Sequence, residues 1–174
     1  MPATAAEAFR AWHDFYVLLG TASATLIGAT FVVASIGSRF MTEDRLPMIG
    51  AFITSTVVHL AVVVGACALL IVPSLEWRWL GGLFGLVGLA GITYCIVVGR
   101  HVLRGRVHWT DPIWYGLVPT VAYAVLLAEG LSVLLDGPPW FEAVAVAPAL
   151  LLITGIRNAW DMIVFFATRD DRAT

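Results

Sequence analysis

Charged side chains are scarce in this chain, and two polar residue types are missing altogether. Only 13% of the 174 residues are charged, the 10 basic residues are all arginine, and there is no lysine and no glutamine. A soluble domain carries about a quarter charged residues, since water must solvate its surface. This chain is instead 60% hydrophobic, with a mean hydropathy of +0.89. The composition predicts an integral membrane protein.

The motifs of common enzyme and metal sites are also missing. The sequence has no glycine-rich phosphate loop, no His-Glu-x-x-His helix, no Cys-x-x-Cys pair and no nucleophile elbow. Its net charge of −2 gives no electrostatic basis for binding nucleic acid. We therefore expect no enzyme activity, no metal or cofactor, and no nucleic-acid partner.

Long hydrophobic runs dominate what is present. Crossing the roughly 30 Å hydrocarbon layer takes about 20 helical residues, and five runs are long enough. Short polar or proline-containing connections separate them, which favours antiparallel neighbours. We predict an all-α fold, a polytopic transmembrane bundle that forms a single domain over residues 1–174. The predicted spans are residues 15–36, 49–72, 79–98, 113–135 and 140–166.

Arginine placement predicts the orientation of this bundle. Short cytoplasmic loops collect positive charge, and with five spans the loops after the first and third share a face with the C-terminus. Only Arg10 and Arg78 fall on the other face. The arginine-rich face carries Arg39, Arg45, Arg100, Arg104, Arg106, Arg169 and Arg172. We expect the N-terminus outside and the C-terminus in the cytoplasm.

Small residues recur at helical spacing in the first and third spans. Such stripes let helix backbones approach closely and gain van der Waals contact where lipid supplies no hydrophobic drive. Internal packing and an interface with another subunit both remain open. The residues are Gly20, Ala24, Gly28, Gly81, Gly85 and Gly88.

The first span also resembles the opening helix of a group of small bacterial multispanning membrane proteins. Residues 15–32 read FYVLLGTASATLIGATFV, and those proteins likewise begin with a glycine, a Ser-Ala pair, a second glycine and Phe-Val. The group has no assigned function. The resemblance covers little more than one helix and implies a bacterial membrane protein without implying an activity.

His59 lies near the middle of the second span. A buried imidazole can relay protons, gate a path or bind metal or haem, but His13, His101 and His108 lie at or beyond the span ends and leave no second buried ligand. We expect a neutral histidine bonded to a hydroxyl on a neighbouring helix, and Tyr123 in the fourth span lies at matching depth. A position on a transport path is the alternative.

Glu129 is the one carboxylate well inside a span, and Ser132 continues its face at helical spacing. An ionisable group at this depth is costly, so it marks a functional site by default. Glu129 is expected either to form an acidic mouth that attracts cations or protons, or to tie the fourth helix to a neighbour.

Arg157 and Asp161 lie four residues apart near the end of the fifth span, where they can pair on one helix face. We expect an anchor at the inner membrane face rather than a substrate site. Pro119 and Pro148 lie inside the last two spans, where each removes an intrahelical hydrogen bond and can kink its helix.

Two functions fit these features of a multi-pass protein of the inner cell membrane. One is a homo-oligomeric ion or proton channel or transporter whose path is lined by Glu129 and His59. The other is a non-transporting accessory, regulatory or scaffold subunit whose small-residue faces bind other membrane helices. The first predicts that Glu129 faces water, and the second predicts that a neighbouring helix seals it.

Overall fold

The chain folds as a bundle of five long α-helices. The computed structural model describes residues 5–37, 46–72, 75–102, 113–138 and 140–170, and it contains no strand within them. This confirms the all-α prediction. The helices are α1 (Ala5–Gly37), α2 (Leu46–Ile71), α3 (Trp77–Val102), α4 (Val118–Leu134) and α5 (Phe141–Asp170).

Five helical segments are long and apolar enough to cross a membrane, the fourth of them formed by residues 113–117 together with α4. This supports a multi-pass membrane protein. These segments are Ala11–Ile36, Ile53–Ile71, Trp77–Arg100, Ile113–Leu134 and Glu142–Val164. Helix α1 begins ten residues before its predicted span, at Ala5, because alanine, glutamate and arginine favour helix with or without lipid around them. Its 33 residues give a length of about 50 Å, more than one membrane thickness.

The helices pack as two antiparallel pairs joined by the fifth helix. Helix α1 packs along α2 and α3 packs along α4, while α5 contacts α1, α2 and α4. The up-and-down order gives the bundle two ends, which we name by α5. The Trp140 end holds the start of α5, and the Asp161 end holds the last turns of α5 together with the start of α4.

A π-helical turn, Ile113–Leu117, precedes α4. Pro119 has no N–H to donate to the carbonyl four residues earlier, at Tyr115, so the α-helical ladder is broken there, and the wider turn fills the gap. The turn buries Tyr115. Pro148, by contrast, lies within the continuous helix α5.

A tight turn carries the chain from α4 into α5. The N–H of Gly137 donates to the carbonyl of Ser132, and the N–H of Asp136 donates to that of Val133. This is a Schellman C-cap, with Asp136 in the left-handed conformation at φ 58°. The turn folds the start of α5 back against the end of α4, which decides the environment of Glu129.

Candidate functional site

Eight polar or charged residues are buried among the side chains that the structure describes. Burying polar groups costs free energy unless they are hydrogen-bonded, so each needs a partner or a role. Seven of them are serine, threonine, histidine or asparagine residues, and the eighth is a glutamate. They are Ser23, Thr30, Ser55, Thr56, His59, Thr154, Asn158 and Glu129.

His59 lies in a hydrogen-bonded cluster between α2, α3 and α4. Its Nδ1 lies 2.9 Å from the Tyr123 hydroxyl, and its Nε2 lies 3.2 Å from the Ser55 hydroxyl. Its ring packs against Tyr94 of α3 in a T-shaped arrangement, with centroids 6.2 Å apart and ring planes at 84°. His59 is 1% exposed and Tyr123 is 0% exposed. Both ring nitrogens therefore have partners, as expected of a structural histidine.

Metal binding has no support in this cluster. A tetrahedral or octahedral site needs several His, Cys, Asp or Glu side chains around one point. Among the described residues no group of three or more such side chains could hold a metal ion. Around His59 the chain supplies tyrosine and serine hydroxyls instead.

Glu129 lies at the Trp140 end and is sealed by the start of α5. Its Oε1 accepts a hydrogen bond of 3.0 Å from the backbone N–H of Trp140, and the residue is 3% exposed. The first N–H groups of a helix have no partner within the helix, and the helix dipole favours negative charge there. The carboxylate of α4 thus caps α5.

Glu129 and the His59 cluster lie at different depths and on different faces of α4. Tyr123, the partner of His59, and Glu129 are six residues apart on α4, which is about 9 Å along the helix, and six steps of 100° turn their side chains to different faces. Ser132, which we grouped with Glu129, donates to the carbonyl of Pro138 over 3.3 Å. It belongs to the turn between α4 and α5.

Arg157 and Asp161 form a brace at the Asp161 end. Arg157 Nη1 donates to Asp161 Oδ1, and the Tyr115 hydroxyl donates to Asp161 Oδ2 over 2.9 Å. The arginine and aspartate side chains are 37% and 30% exposed. Asp161 therefore links α5 to the π-helical turn. The sequence spacing did not indicate Tyr115 as its partner.

The glycines of the α3 stripe pack against α4 of the same chain. A Cβ added to Gly88 would lie 2.5 Å from the backbone N of Leu127, and one added to Gly81 would lie 2.6 Å from Val133. Gly85 faces Gly130 of α4 in the same row. These glycines let α3 and α4 approach to backbone contact.

The stripe of α1 is divided between two environments. A Cβ on Gly20 would lie 3.3 Å from Cys67 of α2, whereas one on Gly28 would meet nothing within 4 Å. Ala24 and Gly28 are exposed, together with Thr21 and Thr25 beside them. We call these four exposed residues the α1 small-residue face.

Sequence reasoning missed the role of Tyr115 and the burial of Asn158. The contact of Tyr115 with Asp161 could not be predicted from α-helical spacing, because a π-helical turn shifts the angular position of every side chain in it. A signal for Asn158 did exist, since an asparagine inside an apolar span needs a hydrogen-bonding partner.

The chain was also compared with known proteins, with no similarity found. No protein-family model matches it, and neither the curated proteins nor the solved structures gave a match.

Proposed function

We propose that this chain is a non-conducting accessory or scaffold protein of a membrane complex, which binds other membrane helices through the α1 small-residue face. The observation that carries this proposal is the burial of Glu129 against the backbone N–H of Trp140. A carboxylate on an ion path must be accessible to water, whereas this one satisfies a helix end. Its role in the bundle is structural.

The packing around Glu129 adds support. Towards the Trp140 end the core is built from close-packed apolar side chains, among them Leu80, Phe84, Leu126 and Val144, each 2% exposed or less. Apolar side chains at interior density leave few voids larger than a water molecule. Within the described residues an ion would meet this layer before it reached Glu129 from the interior.

The α1 small-residue face supplies the surface for a partner. Helices with small residues associate in lipid because their backbones can approach closely and the threonine hydroxyls can hydrogen-bond across the contact. Gly28 has no neighbour within 4 Å of an added Cβ. The partner in this proposal is a helix of another membrane protein or of a second copy of this chain.

The proposal keeps the location and orientation expected from the sequence. It places the protein in the bacterial inner membrane, and the arginine distribution supports an N-terminus outside and a C-terminus in the cytoplasm. The arginine-bearing segments 38–45 and 103–112 lie outside the described residues.

A homo-oligomeric ion or proton channel is the second candidate function. The observation that favours it is the His59–Tyr123 pair, because imidazole and phenol groups can pass protons along hydrogen bonds. In this reading the path runs through His59, and oligomer formation opens it.

Ion and proton flux in liposomes tests both candidates. Purified wild type, Glu129→Gln and His59→Phe are reconstituted at equal amounts, and circular dichroism establishes that each is folded. The scaffold proposal expects proton and cation flux equal to that of protein-free liposomes for all three. Flux in wild type that His59→Phe removes would instead establish the channel.

The partner surface is tested by one substitution and a matched control. Gly28→Leu is expected to dissociate the native complex extracted in mild detergent, since the larger side chain keeps helices apart. Gly82→Leu on α3, which also has nothing within 4 Å of an added Cβ, is expected to leave the size of the complex unchanged. Equal complex sizes for wild type and both variants would rule out the α1 small-residue face.

A further inference from the structure

Asn158 is a buried side chain whose hydrogen-bonding capacity the described protein groups do not meet. It is 2% exposed, and neither Oδ1 nor Nδ2 has a hydrogen-bond partner among the described residues. A carboxamide offers two donors and an acceptor with two lone pairs. Leaving such a group unsatisfied costs about 1–3 kcal/mol, so the fold would gain from a ligand at this point.

Two further buried polar side chains lie at the depth of Asn158. A Cβ added to Gly155 of α5 would contact Leu60 of α2. Because α2 and α5 run antiparallel, Asn158, about one turn after Gly155, lies level with Thr56, about one turn before Leu60. A Cβ added to Gly20 of α1 would contact Cys67 of α2. Because α1 and α2 also run antiparallel, Thr30, ten residues after Gly20, lies level with residues 56 and 57 of α2. Thr30 and Thr56 are 2% and 1% exposed.

The chemistry of this layer selects a small neutral ligand. The Thr30 hydroxyl donates to the carbonyl of Leu26 over 2.8 Å, so its oxygen can still accept a hydrogen bond. Asn158 offers both donors and acceptors. The nearest charged side chains on α5, Arg157 and Asp161, are paired with each other, so the layer presents no net charge to a ligand.

We infer that Asn158 binds water within the bundle, in a polar layer that it forms with Thr30 and Thr56. Water both donates and accepts, and buried water typically makes about three hydrogen bonds to polar groups that otherwise lack partners. On the Trp140 side of the layer, α5 and α2 present the apolar side chains Leu151 and Val63, both 0% exposed. The bound water is therefore a structural component and not part of a continuous path.

The sequence makes this site unusually easy to observe. Asn158 is the single asparagine of the chain, and there is no glutamine, so the spectrum of uniformly ¹⁵N-labelled protein contains one side-chain carboxamide pair. Cross-relaxation from water to these two protons is measured on the full chain in perdeuterated detergent micelles. Nuclear Overhauser effects in the laboratory and rotating frames separate direct contact from chemical exchange.

A direct contact between water and the Asn158 carboxamide protons is the expected result. Threonine hydroxyl protons can relay magnetisation, so the measurement is repeated in Thr30→Val and in Thr56→Val, where the contact should persist. Carboxamide protons that show contacts only to protein protons would overturn the inference, and so would a water contact that disappears in both threonine variants.

A stability measurement provides a second test. Asn158→Leu removes the polar group and the need for water together, and its thermal midpoint is expected to equal or exceed that of wild type. Met162→Leu, one turn further along the buried face of α5, measures the cost of repacking without loss of a polar group. A midpoint for Asn158→Leu below that of both wild type and Met162→Leu would mean that Asn158 bonds a protein group, and the inference would fail.

Discussion

At the scale of single residues, Glu129 is bonded to one backbone N–H, that of Trp140. We expect Glu129→Ala to lower the free energy of unfolding by about 0.5–2 kcal/mol, the usual cost of removing a helix cap, because it takes away the acceptor of the Trp140 N–H. Glu129→Gln keeps a carbonyl acceptor and should lose less. Reversible unfolding in mixed micelles measures both changes.

Glu142→Gln is the matched control for this comparison, because Glu142 lies in the first turn of α5 but is exposed. Its expected effect is within about 0.5 kcal/mol, as for most surface substitutions. If Glu129→Ala were as mild as Glu142→Gln, the capping role would be wrong.

The hydrogen bond between His59 and Tyr123 has a measurable coupling energy. A double-mutant cycle of His59→Phe and Tyr123→Phe is expected to give about 0.6–1.7 kcal/mol, between the mean and the maximum of the values measured by such cycles for hydrogen bonds between membrane helices. This coupling energy is modest because the imidazole and the phenol also form hydrogen bonds in the unfolded, membrane-inserted state.

A second cycle provides the reference for that value. It combines His59→Phe with Thr93→Val, whose exposed hydroxyl bonds the carbonyl of Leu89 in its own helix. This cycle should be additive within about 0.5 kcal/mol, as for independent sites. Equal coupling in the two cycles would mean that the His59–Tyr123 contact contributes nothing specific.

The sequence could indicate the pairing of these two residues but not the role of Glu129. His59 and Tyr123 can be matched by depth, since a helix rises a fixed 1.5 Å per residue. The partner of Glu129 is a backbone N–H in the next helix, presented by the turn at Asp136 and Gly137. No pattern of side chains marks a backbone donor.

At the scale of helices, two glycines of similar sequence context should behave differently. Gly88→Ala is expected to destabilise the bundle by about 1–3 kcal/mol through overpacking, because the new methyl group meets backbone atoms of Leu127 and Tyr123. Gly28→Ala meets nothing within 4 Å and is expected to leave stability within about 0.5 kcal/mol of wild type.

Thermal unfolding of the monomeric protein in detergent checks this difference. Detergent that disperses any complex removes partner contacts at Gly28, so only the packing within one chain is measured. A Gly88→Ala variant as stable as wild type would mean that α3 and α4 do not approach to backbone contact.

At the scale of the whole molecule, the arginine distribution predicts which side of the membrane holds each end of the bundle. A green fluorescent protein fused to the C-terminus should fluoresce in bacterial cells, because it folds in the cytoplasm. Alkaline phosphatase fused at the same position should be inactive, since it folds only after export. Active phosphatase with a dark fluorescent fusion would reverse the orientation.

The sequence by itself determined the fold class, and the tertiary structure decided what each helix face does. Hydrocarbon cannot solvate backbone N–H and C=O groups, so five long apolar runs can form only helices. The rotation of each helix is less visible, because lipid-facing and core-facing side chains are both apolar. Only the packed bundle shows that the glycines of α3 meet α4 while Gly28 of α1 meets nothing, and that Glu129 lies under the start of α5.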